Sequence, residues 1–342
     1  MNSNADNEYQ GCVSGNFRKL VLEYQGAVIE ALVLMRRSGI RMPNSAYDWV
    51  YAEIPMSGEL SGGGHYYKHG LGCEVRYAGK SVDFDFGKNG EIGGFDAWWL
   101  AKFSGKNLKN YGFDNVDVLD EYINSLISLG ELNRSSDGLC FFGSAELLYA
   151  VDVDGRAPGD NLPLKNKDPI LTLHAQQFQA ADLMRKNYEK IIEKLKKYDR
   201  LSMNDKINAG IYLSTWLGFL RVTCEGFFTL KIRKLLQEER PGAFGEIVAQ
   251  HDVVLKLEKR HRDALRDFRN NTFHPQRDVQ VKREFFDSEK GRIPWAHELH
   301  NEVAQFFSSY RIQCEVHYFV QGRLSELDVR RSRVRRPKRP VS

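Results

Sequence analysis

Paired cysteine, long apolar runs and proline are what this sequence has little of. Its 342 residues include five cysteines, Cys12, Cys73, Cys140, Cys224 and Cys314, odd in number, widely scattered and without a CxxC pair. That pattern argues against a disulfide framework or a zinc ribbon and suits a reducing, cytoplasmic compartment. The longest apolar run, residues 211–220, is too short to span a bilayer and is followed by Arg221 and Glu225, so no membrane is expected as a partner. The N-terminal MNSNADNEYQ has neither a basic start nor an apolar core, which is not the pattern of a secretory signal. Prolines number ten, and three of them fall within residues 152–170, DVDGRAPGDNLPLKNKDPI, among glycines and charges. This stretch is the best linker candidate, bounding a domain over 1–152 and a second over 170–322, with 153–169 between them.

What is present is an ordinary globular composition, 42% hydrophobic and 27% charged, in a chain long enough for two cores. The net charge of +4 hides a split. Residues 1–160 carry 14 Lys+Arg against 22 Asp+Glu, and residues 161–342 carry the remaining 35 against 23. An acidic first half suggests a protein partner, and a basic second half an anionic one, most simply nucleic acid. The tail RRSRVRRPKR, residues 330–339, supplies seven of those cations. Residues 323–342 read as a disordered basic tail, either solvated or binding phosphates through Arg330, Arg331, Arg333, Arg335 and Arg336.

Residues 13–37 have the periodicity of an amphipathic helix, with Leu20, Val21, Tyr24, Val28, Ala31, Leu32 and Met35 on one stripe. SGELSGGGHYYKHGLGC, residues 57–73, does not fit a phosphate-binding glycine motif and reads as a flexible loop entering a strand. CEVRYAGKSVDFDFG then predicts a hairpin turning at Gly79-Lys80. That turn would set Tyr77 opposite Val82, Val75 opposite Phe84 and Cys73 opposite Phe86. On the other face it would pair Arg76 with Asp83, and Glu74 with Asp85. Like charges directly opposite are unfavourable, so Glu74/Asp85 calls for a cation: a side chain from elsewhere, a metal or a basic partner. His65, His69 and Cys73 recur at four-residue steps, but in loop and strand this spacing gives them no common face and no metal site. Trp98-Trp99 follows, then a helix over 114–130 and a strand or two in 138–153.

The second half is helical throughout. Ala181, Met184, Tyr188, Ile191 or Ile192, Leu195 and Tyr198 make one stripe, and Ile207, Ile211, Trp216, Leu220, Phe227, Leu230 and Leu235 lie along a second helix. Val254, Leu257, His261, Leu265 and Phe268 fall on a third, and Leu299, Val303, Phe306, Phe307 and Tyr310 on a fourth. Four such helices joined by short polar loops predict a bundle. The expected fold is therefore an α+β domain followed by an all-α helical bundle.

The third helix ends in RNNTFHP, residues 269–275. Arg262, Arg266, Asn270 and His274 recur every four residues, with Arg269 beside them, so a basic stripe ends in an amide and an imidazole. Cleaving RNA without a metal needs those parts. A neutral imidazole can take the proton of a ribose 2′-hydroxyl, and a guanidinium can hold the scissile phosphate. R-x4-H spacing alone is weak: 27 arginines and nine histidines give about 0.7 chance matches, and Arg292/His297 also fits. What distinguishes Arg269 is the polar amide directly after it at the end of a basic helix. On an ideal helix, residues five apart point about 140° apart. Arg269 and His274 therefore converge only if the helix unwinds or a second copy of the chain supplies one of them. The structural alternative is that Arg269 ion-pairs within the bundle and His274 bonds backbone at the helix end. HELH, residues 297–300, falls one residue short of the zinc-protease spacing and needs no metal.

RNNTFHP, with the later Trp295 to His300 segment, resembles the HEPN superfamily of bacterial helical bundles over roughly residues 168–322. The resemblance implies an endoribonuclease of defence or toxin–antitoxin type, without metal or other cofactor, whose site is completed in a homodimer. It implies that Arg269 holds the phosphate, Asn270 orients it and His274 is the base, with Arg262 and Arg266 on the path of the RNA. Some members keep the fold without being nucleases, so a non-catalytic immunity, regulatory or nucleic-acid-binding scaffold is the alternative. HGLGC, VDFDFG and GFDAWWL resemble an uncharacterised bacterial α+β domain seen in toxin–immunity and defence contexts, which implies no activity.

Overall fold

The computed structural model describes residues 13–273 and 279–328. The chain divides into two compact units, residues 1–157 with 318–342, and residues 158–317. The division falls inside the proline-rich stretch.

The first unit is built on α1 (Gly15–Arg37). Leu20, Val21, Tyr24, Val28, Ala31, Leu32 and Met35 all lie fully buried on it, as their period predicts. Short α2 (Ala46–Tyr51), capped by Ser45, leads to four antiparallel strands in the order β1 (Ser57–Leu60), β2 (Gly64–His69), β3 (Gly72–Tyr77) and β4 (Lys80–Asp85). The stretch read as a loop over 57–73 is thus mostly paired strand. Its glycines serve turns: Gly62 and Gly63 both hold φ near +85°, closing the β1–β2 hairpin.

The β3–β4 hairpin is real, but its register differs from the expected one. The two-residue loop is Ala78-Gly79, with φ of +47° and +75°, the sign that the favoured two-residue hairpin turn requires at both positions. Tyr77 faces Lys80, Val75 faces Val82, Cys73 faces Phe84, and Glu74 faces Asp83. The shift is by two residues, so each side chain keeps its face and the core is unchanged. Cys73, Val75, Val82 and Phe84 pack inward, and the Tyr24 hydroxyl donates to the Asp83 carbonyl, tying β4 to α1. The unit continues with β5 (Glu91–Ile92), α3 (Ala97–Ser104, capped by Asp96), α4 (Val116–Ser128, capped by Asn115), β6 (Leu132–Arg134), β7 (Cys140–Phe142) and β8 (Leu148–Tyr149). β5 pairs with β8, and β6 with β7.

The second unit is largely helical. It runs through α5 (Pro169–Leu173), α6 (Gln179–Tyr198), α7 (Met203–Thr229), α8 (Ile232–Glu238), α9 (Val248–Phe273), α10 (Val279–Phe285) and α11 (Arg292–Val320), which is counted with this unit to His317. Two details depart from expectation. The second stripe breaks at Lys231, whose φ of +51° ends α7, so Leu235 belongs to α8. Ile207 and Ile211 are exposed, and burial along α7 begins at Trp216. Asp168, with no exposed surface, caps α5 and accepts from the Tyr310 hydroxyl at 2.6 Å, which fixes α11 beside the start of this unit. No helix among the described residues is long and apolar enough to cross a membrane.

Candidate functional site

α9 is two helical segments joined at His261, where φ −135° and ψ 26° interrupt the helical backbone. Trp295 packs edge-on against the His261 ring, and its indole N–H donates to the Leu257 carbonyl at 2.8 Å, so the break is held from α11. The segment after the break carries Arg262, Arg266, Arg269 and Asn270.

Arg262 donates through Nε to Glu258 Oε2 at 2.6 Å, and its guanidinium lies 4.5 Å over the Phe228 ring. Glu258 has no exposed surface and accepts on its other oxygen from Arg221 Nη1, also at 2.6 Å. Arg221 reaches Glu225 at 3.3 Å, and Glu225 accepts from Arg269 Nη2 at 2.6 Å. The order is Arg262, Glu258, Arg221, Glu225, Arg269: a ladder of alternating charge between α7 and α9 with three guanidiniums and two carboxylates. Arg269 Nε is buried and makes no hydrogen bond among the described residues. Its outer end is different, since the Arg269 and Glu225 side chains keep 23% and 31% of their surface exposed. An anion approaching there meets a guanidinium that shares its carboxylate with a second one. Arg266 points to solvent and pairs with Asp263 and Asp267. Asn270 is half-buried. His274, Arg330, Arg331, Arg333, Arg335 and Arg336 lie outside the described residues.

Arg221, Glu225 and Glu258 do not stand out in the RNNTFH reading. For the first two the signal is charge inside apolar helix, since Arg221 and Glu225 interrupt LGFLRVTCEGFF four residues apart; Glu258 lies in the charged run EKRHRD of α9 and has no such mark. The HELH histidines are structural. Trp216 Nε1 donates to His300 Nδ1 at 3.1 Å, leaving Nε2–H to donate to Asp182 at 3.3 Å. Burial pushes the His300 pKa down to about 4, so this imidazole is neutral. His297 packs on Trp216.

The first unit answers the question of the missing cation. Glu74 and Asp83 face each other on the outer side of the sheet. Arg76 and Ser81 donate to Glu74. Lys102, from α3, donates to Asp83, and His69 Nε2 lies 2.6 Å from it, its ring stacked on Trp99. The hydrogen bond to Asp83 raises the His69 pKa. Burial alone would raise the Asp83 pKa, but His69 and Lys102 outweigh it and hold this carboxyl low. Asp85, 3.9 Å from His69 Nδ1, is raised by burial. Lys102 also lies over Trp98 and Trp99. The stretches HGLGC, VDFDFG and GFDAWWL thus meet, but to balance charge on a sheet face. Among the described residues no group of three or more His, Cys, Asp or Glu side chains is placed to hold a metal ion.

This unit contains the one region that other sequences help to place. Residues 17–144 match a family described as a domain of unknown function (DUF6896). The match covers α1 through β7 and stops short of the helical unit. No curated protein and no solved structure matches the chain.

Proposed function

We propose that the helical unit is a metal-independent endoribonuclease of the HEPN type, acting as a homodimer in a bacterial defence or toxin–antitoxin setting. His274 takes the proton of the ribose 2′-hydroxyl, the 2′-oxygen attacks phosphorus, and the bond to the 5′-oxygen breaks, leaving a 2′,3′-cyclic phosphate. Arg269 binds the scissile phosphate and Asn270 orients it. The observation that carries this reading is the surplus cation of the α7–α9 ladder, in which three guanidiniums share two carboxylates and Arg269, one of its two partly exposed ends, stands five residues before His274 in the sequence. A guanidinium of that kind stabilises charge developing on a phosphate. Arg262 and Arg266 lie toward the same helix end and contribute attraction for the RNA backbone, as the basic tail does.

One observation favours a second reading, a non-catalytic regulatory or immunity scaffold. The 2.6 Å contact to Glu225 gives Arg269 a structural partner of its own. Purified full-length protein, RNA and EDTA separate the two. We expect cleavage in EDTA, reduced at least about a hundredfold by Arg269→Ala and by His274→Ala, the scale on which a catalytic base or charge-stabilising donor acts. Cleavage that survives both substitutions, or that EDTA abolishes, overturns the nuclease reading. Absence of cleavage by the wild-type chain selects the scaffold.

A further inference from the structure

The outer half of the α6–α7 hairpin has no core of its own. From Ile192 to Thr215 no residue is buried, although both helices extend into this stretch. Helices in proteins draw most of their stability from packing an apolar face, so a bare one calls for a cover. The bare face belongs to α7. Met203, Ile207 and Ile211, four residues apart and so on one side of the helix, keep 72%, 50% and 53% of their surface exposed. Gly218, seven residues beyond Ile211, continues that side and seats the Phe273 ring, itself 49% exposed. α9 runs antiparallel to α7, with Arg262 over Phe228 and Phe273 over Gly218, so the bare stripe begins where the described part of α9 stops.

The chemistry of this face limits what can cover it. Around Ile207 and Ile211, the positions three and four residues away hold Met203, Asn204, Asn208, Gly210, Ser214 and Thr215, and none carries a charge. Asp205 is turned to the other side, where it accepts from Lys194 of α6 and from the Ser202 hydroxyl. Lys206 stands about 100° round the helix from Ile207. A phosphate backbone or an anionic lipid surface therefore finds no cation on the stripe itself. An uncharged apolar face does fit, and the chain has one whose relief matches its own. With two α7 helices antiparallel and Ile211 set against the partner's Gly210, Ile207 falls against the partner's Ser214. Met203 then falls against the partner's Gly218, where the Phe273 ring is seated. Large side chains meet small ones at each step. At Gly210 a Cβ would have no atom within 4 Å, so the space for an incoming side chain is open. The overlap runs from residue 203 to 218, about 22 Å of helix, and this register covers the stripe from end to end.

We propose that this face of α7 docks a second copy of the chain, as an antiparallel helix pair about a two-fold axis. The end of α9 in each copy, which carries Arg269, is then bordered by the start of α7 in the other. The inference rests on the homodimer of the proposed function and gives that dimer its contact; it does not depend on RNA being cleaved.

Sedimentation velocity of the full chain from about 1 to 100 μM tests it. We expect a dimer whose dissociation constant rises about a hundredfold or more in Ile207→Asp and in Ile211→Asp, since each places an unpaired carboxylate in an apolar contact. Leu183→Asp, at an exposed position of α6 outside the stripe, should leave the dimer unchanged. Ile211→Cys reads the register without adding a charge: mild oxidation should give a covalent dimer that neither the wild-type chain nor Leu183→Cys gives. A wild-type chain that stays monomeric overturns the proposal. So does a dimer that survives both aspartates or that Leu183→Asp also abolishes, and so does Ile211→Cys that fails to cross-link. RNA cleavage separates this contact from the nuclease reading. A dimer lost with each aspartate in a chain that never cleaves RNA keeps the contact and removes the nuclease. Cleavage by a chain whose dimer ignores both aspartates does the reverse.

Discussion

On the sheet of the first unit, Glu74 and Asp83 face each other across a strand pair; in the helical unit, Arg221 and Arg262 crowd onto the single carboxylate of Glu258. Both regions bring like charges together, and both interleave opposite ones. They differ in depth and in sum. The sheet cluster buries Asp83 but leaves its cations partly exposed, and its three carboxylates, Glu74, Asp83 and Asp85, stand beside Arg76, Lys102 and His69. The helical ladder is closed at Glu258 and sums to one cation over. A cluster whose carboxylates already have cations beside them needs nothing more to explain it. A ladder that is buried in the middle, reaches the surface at both guanidinium ends and carries one positive charge over has a place for an anion.

The comparison is broken most forcefully at Glu258. Glu258→Gln leaves two guanidiniums facing a neutral amide in a buried setting, and we expect a loss of about 3–5 kcal/mol in chemical denaturation. A loss below 1 kcal/mol would mean that the ladder is no more than a surface network.

The two units should also respond to pH with opposite sign, read by hydrogen exchange of each unit. The His300 pKa is depressed to about 4 in the fold, so the unfolded chain binds the extra proton. Stability of the helical unit is therefore expected to fall as pH drops from about 6.5 toward 4, by about 3 kcal/mol at most. His69 is raised by its bond to Asp83, so its contribution is complete below about pH 6.5 and disappears as pH rises through the folded value. Protection that moves in the same direction in both units would refute this contrast.

The smallest effect is expected at Asp83→Asn. It removes the charge shared by His69 and Lys102 but keeps an acceptor in place, and both partners are themselves partly exposed. We expect about 1–2 kcal/mol from denaturation and a fall in the His69 pKa followed by NMR. An unchanged His69 titration would show that Asp83 does not set it.

What could be read beforehand follows from where the information resides. The stripe of α1 is local: one helix buries one face, and its period is visible in any window of the sequence. The hairpin was legible by face but not by partner. Glycine marks the turn, yet the loop also needs Ala78 in a left-handed conformation that its side chain does not announce. Ile207 and Ile211 continue the period of α7 past the point where anything covers them, so periodicity overstates the core there. The candidate site was half visible. Arg269 and Asn270 are contiguous, but Glu225 becomes the partner of Arg269 only because α7 packs on α9, and no spacing within either helix encodes that contact.

Gly218 on α7 has a consequence for the end of α9. The Phe273 ring occupies the space over it so closely that a Cβ at 218 would sit 2.0 Å from a ring carbon. Position 218 therefore acts as a ruler for α9. Any side chain there would displace the Phe273 ring from this seat. The end of α9 is in this sense marked far upstream, by a residue that contributes no side chain.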